Sequence, residues 1–206
     1  MKRILLMLGV LSASFMAMAQ STPLLDKVNK RIESDKDITV TGTTTISAFG
    51  ETTESETTIM ISGDRFRFDS EEMTVWFDGK TMWRSVGPAD ETDEITVTIP
   101  DQSDLGLLNP VIFLKNHDGF KVSQSGSVIT FTAVKETYAG IGKMTFHIDN
   151  ATQHPTRIDI IAGAEGRNAT EITFNISSFK TKCNLDNKIF TCKESDYPDA
   201  EIIDLR

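Results

Sequence analysis

Residues 59–83 read IMISGDRFRFDSEEMTVWFDGKTMW and carry the signals that decide the fold. Apolar side chains recur at every second position, as in Phe66 and Phe68, with polar or charged residues between them. The dipeptides Gly63-Asp64 and Asp78-Gly79 interrupt this alternation. Alternation bounded by turns that contain glycine is typical of hairpin strands with one buried face. The segment therefore predicts consecutive antiparallel strands.

The same alternation extends along most of the 206-residue chain. About ten short segments share it, and turn signals such as Ser125-Gly126 and Asn150-Ala151 separate them. Outside the opening segment, the alternating apolar residues include Ile38/Val40, Ile95/Val97/Ile99, Phe120/Val122, Ile129/Phe131, Met144/Phe146/Ile148, Ile158/Ile160 and Ile172/Phe174/Ile176. Because the strands follow one another almost in hairpin order, without an internal repeat or linker, we expect one domain built on a large antiparallel sheet.

Helices are predicted at two places. Thr22-Pro23 combines a capping residue with a proline at the first helical position, and Leu25, Val28 and Ile32 follow at helical spacing. Residues 109–116 begin with Asn-Pro and continue with four apolar residues. A short helix that is apolar on every side must be buried or must cover an apolar surface.

The predicted sheet has more apolar surface than two short helices can cover. Either the sheet folds into a sandwich and fills itself, or it curls and leaves a cavity. Many inward positions hold Met or Phe, which suit an adaptable apolar pocket but equally suit an ordinary core. The pattern alone favours ordinary core.

The N-terminus has the pattern of a secretory signal peptide. Lys2-Arg3 precedes an uncharged, mostly apolar stretch at 4–18, and Ala17-Met18-Ala19 has the small-x-small form of a cleavage site. The apolar stretch is short for a membrane span. We therefore expect residues 1–19 to be removed and residues 20–206 to form a single soluble domain outside the cytoplasm.

The charge balance is acidic. The chain has 21 basic and 30 acidic residues, a formal net charge of −9. The predicted signal peptide contains two of the basic residues and no acidic one, so its removal leaves −11. Such a surface repels nucleic acid and anionic membrane faces, and it fits brief contact with membranes better than permanent attachment.

The two cysteines, Cys183 and Cys192, lie close together in a chain that we expect to be exported. Residues 184–187 between them read as a turn, which predicts that the cysteines face each other across a hairpin and form a disulfide. A loop of this length would stabilise the fold by roughly 2.5–3 kcal/mol. A redox pair is the less favoured alternative, since the spacing differs from Cys-x-x-Cys.

The motifs of common catalytic and metal sites are not found in the sequence. His117, His147 and His154 are predicted to lie at the surface and do not match a metal-binding pattern. Neither a G-x-S-x-G elbow nor a glycine-rich phosphate loop occurs. Trp76 and Trp83 flank a predicted turn, where cross-strand packing explains them more simply than stacking on a sugar. We predict neither a cofactor nor an enzyme.

Several segments together resemble the LolA family, whose members carry lipoproteins through the periplasm to the outer membrane. Residues 77–83 (FDGKTMW) resemble its D-G-K-x-h-W hairpin, and residues 63–68 (GDRFRF) resemble the preceding strand. Residues 108–116 (LNPVIFLKN) are similar to its apolar lid helix. The segment from Ile172 to Asp204 resembles its last strands and tail.

The resemblance implies an unclosed antiparallel β-barrel of about eleven strands, covered by a helical lid over a cavity for acyl chains. It also implies acylated lipoproteins as cargo, and transient contact with an inner-membrane transporter and an outer-membrane acceptor, by a monomer. We expect the cavity to be lined by the inward strand residues Phe66, Phe68, Val75, Val97, Phe131, Met144 and Phe146, and the inner side of the lid by Leu108, Ile112 and Phe113.

The chain departs from the family at one position. Family members often place an arginine just before the aromatic strand, where it holds the lid shut, but residues 61–64 here read ISGD. Arg65 follows, and alternation places it on the outward face. The resemblance therefore does not predict an arginine that latches the lid.

Two other classes of function remain as alternatives. One is an envelope sensor, or another lipid-binding module, on the same fold. The other is an enzyme such as a carbohydrate-active β-sandwich, which would need carboxylates that converge on one face. The carboxylates of this chain fall in predicted loops or at outward strand positions, where solvated charge is the usual explanation.

Overall fold

The fold is described from a computed structural model, over residues 21–87, 92–134, 140–163 and 169–206. The predicted signal peptide lies outside the described residues. The described strands are β1 (Ile38–Ala48), β2 (Glu51–Ser62), β3 (Arg65–Asp69), β4 (Thr74–Phe77), β5 (Met82–Ser85), β6 (Glu94–Thr98), β7 (Phe120–Ser125), β8 (Val128–Ala133), β9 (Ile141–Ile148), β10 (Pro155–Ala162), β11 (Thr170–Lys180) and β12 (Glu201–Asp204).

In the part of the chain that the structure describes, the twelve strands form one sheet in the order β12-β6-β5-β4-β3-β2-β1-β11-β10-β9-β8-β7. Neighbouring strands pair antiparallel, except that β12 runs parallel to β6. β12 and β7 are its two edges, so the sheet does not close. The predicted mainly β architecture with an unclosed antiparallel sheet is confirmed, with one strand more than expected.

The register gives the sheet two distinct faces. Ile59 pairs with Phe68, and Phe68 pairs with Val75, so these side chains share one face. This inner face carries the main hydrophobic core. The opposite, outer face carries Arg67, which pairs with Trp76.

The pairing of β1 with β11 is irregular at one point. The register shifts between Thr41 and Gly42. A Cβ atom at position 42 would collide with the backbone carbonyl of Asn175. Glycine is therefore required here because the two backbones approach closely.

Helix α1 (Pro23–Ser34) forms as predicted. The Thr22 hydroxyl accepts a hydrogen bond from the backbone N–H of Leu25 at 3.2 Å, which caps the first turn. Leu25 and Val28 are fully buried, and with Leu24 and Ile32 they belong to the main core.

The second helical region differs from the prediction. The helix expected at 109–116 is the single turn α3 (Pro110–Phe113), and the leucine-rich stretch before it forms a separate helix, α2 (Gln102–Leu108). Phe113 packs edge-on against Phe120 and Phe131, with ring centroids 4.7 and 5.4 Å apart. The α2–α3 pair is thereby attached to the inner face.

The C-terminal segment covers part of the outer face. Trp76 and Trp83 lie opposite each other on β4 and β5, which confirms the predicted cross-strand packing. Tyr197 packs edge-on against Trp76 at 5.8 Å. This second cluster consists of Trp76, Trp83, Ile95, Val97 and Cys192, with Tyr197, Ala200 and Ile202 packed against it.

The predicted disulfide is wrong. Cys183 and Cys192 are both free, and the residues between them do not form a hairpin turn. The Asp186 side chain caps a 3-10 helix at Asn187–Phe190, and Phe190 is fully buried with Arg65 over its ring at 5.2 Å. Because Phe190 anchors the intervening residues, Cys192 is directed into the outer-face cluster.

The surface prediction for the histidines is only partly correct. His147 faces outward and is hydrogen-bonded to Asp159 at 2.9 Å. His154 is buried and stacks on Phe179, with ring centroids 4.2 Å apart. Both ring nitrogens of His117 are buried beside Phe131. Local pattern did not predict these last two positions because the segments that cover them are distant in sequence.

Candidate functional site

A cavity of about 310 Å³ lies between the inner face of the sheet and the α2–α3 pair. Ile46, on its wall, is 38% exposed, so the cavity reaches the surface there. Most of the wall is aliphatic or aromatic. The lining residues are Thr44, Ile46, Thr57, Ile59, Phe68, Met73, Arg84, Asp104, Leu107, Leu108, Pro110, Ile160, Ile172 and Phe174.

The cavity exists because the helices are too short to fill the inner face. Helix α1 fills part of the inner face, since its residues Leu25 and Val28 are fully buried in the main core. Helices α2 and α3 are short, with seven and four residues. Leu107, Leu108 and Pro110 of the α2–α3 region reach the cavity wall. The space between them and the sheet is lined by apolar side chains that lack a partner from the helices. Part of the surplus of apolar sheet surface inferred from the sequence therefore lines this cavity.

Two of the predicted binding residues line this cavity, namely Phe68 and Leu108. Five others face the same side of the sheet but lie in the solid core, where each is fully buried; they are Phe66, Val75, Phe131, Met144 and Phe146. Phe113 is buried among aromatic rings, and Ile112 packs against the core. Except at Val97, sequence alternation identified the inner face of the strands correctly, but it did not separate cavity wall from core.

Val97 is a correction. It pairs with Trp83 on the outer face and belongs to the cluster that the C-terminal segment covers. The inward positions of β6 hold Thr96 and Thr98 instead, because Thr96 lies opposite Arg84 and Thr98 lies opposite Met82. The C-terminal segment buries the outer face of this strand, whereas the inner positions are polar, so the apolar residues of β6 mark the outer face.

Arg84 is a site residue that sequence reasoning missed. It lies on β5 opposite Val75 and therefore faces inward, onto the cavity wall. Counting positions on either side of the Asp78-Gly79 turn would have paired Val75 with Arg84 and placed an arginine on the inner face. The other lining residues not singled out for the site are Thr44, Ile46, Thr57, Ile59, Met73, Asp104, Leu107, Pro110, Ile160, Ile172 and Phe174.

A second cavity of about 390 Å³ lies beside the first. Its wall is mixed but more polar than that of the first, and it is called the polar cavity below. The two share Arg84 from the sheet and Asp104 from α2. The second cavity is lined by Met82, Arg84, Thr96, Thr98, Ile99, Asp104, Leu205 and Arg206. Arg84 therefore stands at the junction between an apolar chamber and a polar one.

The joint between α2 and α3 contains an unsatisfied buried amide. Asn109 is 0% exposed, and neither its side-chain oxygen nor its side-chain nitrogen has a hydrogen-bond partner among the described residues. On the far side of α3, the Asn29 amide donates to the Leu114 carbonyl at 3.1 Å and ties the α2–α3 pair to α1. An unsatisfied buried polar group costs roughly 1–3 kcal/mol, so this joint weakens the packing of the helical cover.

Neither a metal site nor a membrane-spanning helix is found in the residues that the structure describes. Within 21–87, 92–134, 140–163 and 169–206, His, Cys, Asp and Glu side chains do not form groups of three or more that could hold a metal ion. None of the helices in these ranges is both long and apolar enough to cross a membrane.

An unclosed β-sheet with an apolar cavity beneath a short helical cover has the geometry of a site for apolar ligands. The model of the family described as outer membrane lipoprotein carrier protein LolA matches residues 15–164, more than half of the chain. The chain belongs to this family. No curated protein matches the sequence.

Solved structures with a similar fold have low sequence identity. A LolA superfamily protein from Nitrosomonas europaea is 12% identical, with a TM-score of 0.49, over 84% of this chain and 97% of its own. A DUF1329 family protein from Desulfovibrio piger is 12% identical, with a TM-score of 0.48, over 82% and 94%. MucB of Pseudomonas aeruginosa, in the MucA/MucB complex, is 14% identical, with a TM-score of 0.39, over 84% and 62%.

Proposed function

We propose that the protein is a periplasmic carrier that binds the acyl chains of lipoproteins in the apolar cavity and shuttles them from the inner to the outer membrane. It acts as a binding protein and not as an enzyme. The observation that carries this proposal is the apolar cavity of about 310 Å³ beneath the α2–α3 pair. The family assignment and the signal-peptide pattern support it.

The cavity has the chemistry that hydrocarbon requires. Its volume lies at the lower end of the roughly 300–1,000 Å³ usual for ligand sites. Each methylene moved from water into such a wall contributes about 0.8 kcal/mol. Met73 has a flexible side chain that can adapt to chains of different shape.

The α2–α3 pair is suited to act as a lid. Leu107 and Leu108 form the helical side of the cavity wall, so displacement of the pair would widen the cavity for a ligand. The unsatisfied Asn109 amide makes its closed position less stable than a fully paired joint would be. A lid held in this way can open without breaking the strand pairs of the sheet.

Native mass spectrometry of the protein purified from the cell envelope tests the proposal. We expect an acylated cargo bound one to one. A protein that carries no such cargo and also does not bind fatty-acid probes would contradict the proposal.

A further inference from the structure

Arg84 occupies an unusual place for a charged side chain. It faces inward from β5, between Val75 on one neighbouring strand and Thr96 on the other. It lines the apolar cavity on one side and the polar cavity on the other. The surrounding inner-face residues of β4 and β5, including Phe77 and Met82, are buried and apolar.

The guanidinium of Arg84 has unused hydrogen-bonding capacity. Its Nε atom is buried and lacks an acceptor, and Arg84 does not form an ion pair with any residue in the described ranges. A guanidinium presents five N–H donors in a planar fork and no acceptor, so it is satisfied only by oxygen or nitrogen acceptors. Carboxylate and phosphate oxygens match this fork best and form its strongest hydrogen bonds.

The other charges that line the two cavities do not neutralise Arg84. Asp104 lies on α2 and lines both cavities, but it is not close enough for an ion pair. Arg206, which also lines the polar cavity, is already paired with Asp204 at 2.6 Å. Among the described residues that line the two cavities, Arg84 is therefore the cation without an ion-pair partner, and Asp104 is the group that would oppose an anion there.

We infer that the site selects hydrocarbon chains attached to an anionic group, a carboxylate or a phosphate, and that Arg84 is the residue that recognises this group. This inference rests on the proposed function, because the chain must first occupy the apolar cavity. The tail lies in the apolar chamber, and the anionic head lies at Arg84 and extends toward the hydroxyls of Thr96 and Thr98. Neutral amphiphiles gain the same burial of the chain but leave Arg84 without a partner.

Binding of paired probes tests this inference. Dodecyl phosphate is compared with dodecanol, and N-lauroyl-aspartic acid amide with N-lauroyl-asparagine amide, so that a phosphate head and a carboxylate head are examined separately. Affinities are measured by calorimetry on the wild type, on Arg84→Gln and on Asp104→Asn. Lys80→Gln is the control for net charge, since Lys80 is an exposed residue of the turn between β4 and β5.

We expect the wild type and Lys80→Gln to bind at least one anionic probe about tenfold or more tightly than its neutral partner. Arg84→Gln should lose this preference and keep its affinity for the neutral probe. Asp104→Asn should bind the anionic probe more tightly, and this variant tests the inference even if Arg84→Gln fails to fold.

Two results would overturn the inference alone. One is equal binding of anionic and neutral probes by the wild type, and the other is a preference that survives in Arg84→Gln. If none of the probes binds to the wild type, the proposed function fails with it.

Discussion

The His154 Nε2 atom lies 2.6 Å from the Asp35 carboxylate and joins the end of α1 to the turn between β9 and β10. Asp35 is 3% exposed and also forms an ion pair with Arg31, whose Nε lies 3.1 Å from the carboxylate. The ring of His154 stacks on Phe179 of β11. One buried carboxylate thus connects the helix to two neighbouring hairpins of the sheet.

Replacing this carboxylate should destabilise the fold. Asp35→Ala leaves buried His154 without its acceptor, and we expect a loss of about 1–3 kcal/mol in the free energy of unfolding. Urea denaturation followed by circular dichroism measures this change. The matched control is Glu33→Ala on the exposed side of α1, which should change stability by less than about 0.5 kcal/mol. Equal effects of the two substitutions would show that the buried contact contributes nothing.

Filling the apolar cavity should weaken binding of hydrocarbon. Leu107 lines the cavity from α2 without being fully buried, so Leu107→Trp can project its ring into the open space. We expect at least about a tenfold loss of affinity for a fluorescent fatty-acid probe, since the ring displaces methylenes worth about 0.8 kcal/mol each.

Val86→Trp is the control for this experiment, because Val86 is 67% exposed and does not line the apolar cavity. Unchanged affinity in Leu107→Trp would place the ligand elsewhere.

A charged substitution in the solid core, such as Phe146→Glu, is unsuitable as a test of binding, since Phe146 is fully buried and packs against Phe131 at 5.6 Å. A charge at that position would unfold the core.

The two cysteines should differ in reactivity. Burial raises the pKa of the Cys192 thiol to about 11, and the nearby carboxylates of Glu194 and Asp196 add to this effect. Cys183 is partly exposed. At pH 8 we expect iodoacetamide to alkylate Cys183 first, because the thiolate is the reactive form. Peptide mapping measures the order of labelling, and faster labelling of Cys192 would contradict the buried position.

Asp159 should contribute to the acid sensitivity of the fold. Burial of its carboxylate acts to raise the pKa, but hydrogen bonds from Arg157, Thr173 and His147 outweigh burial and lower it below the ordinary 3.8. A carboxyl group with a lowered folded-state pKa stabilises the fold above about pH 3.8, and this contribution is lost as the pH falls through the folded-state pKa.

Asp159→Asn should therefore be less stable than the wild type at pH 7, and the difference should shrink below pH 3.8. Thermal unfolding at a series of pH values measures it. A difference that stays constant down to pH 2 would show that ionisation of Asp159 is not linked to folding.

The local sequence pattern predicted the secondary structure correctly where interactions between neighbouring residues determine it. The alternation around Gly63-Asp64 and Asp78-Gly79 predicted β2 to β5, because a side-chain period of two and a short turn leave one antiparallel register. Thr22-Pro23 fixed the start of α1 for the same local reason. The family resemblance stated from these segments is confirmed by the match over residues 15–164.

Only the tertiary structure determines which segment of the chain packs on each face of a strand. Val97 is buried on the outer face because the C-terminal segment, about a hundred residues further along the chain, packs there. Arg84 became a site residue because its position across the sheet brings it under α2. Alternation along a strand defines two faces, but only contacts between segments distant in sequence determine whether a face becomes core, cavity wall or solvent-exposed surface.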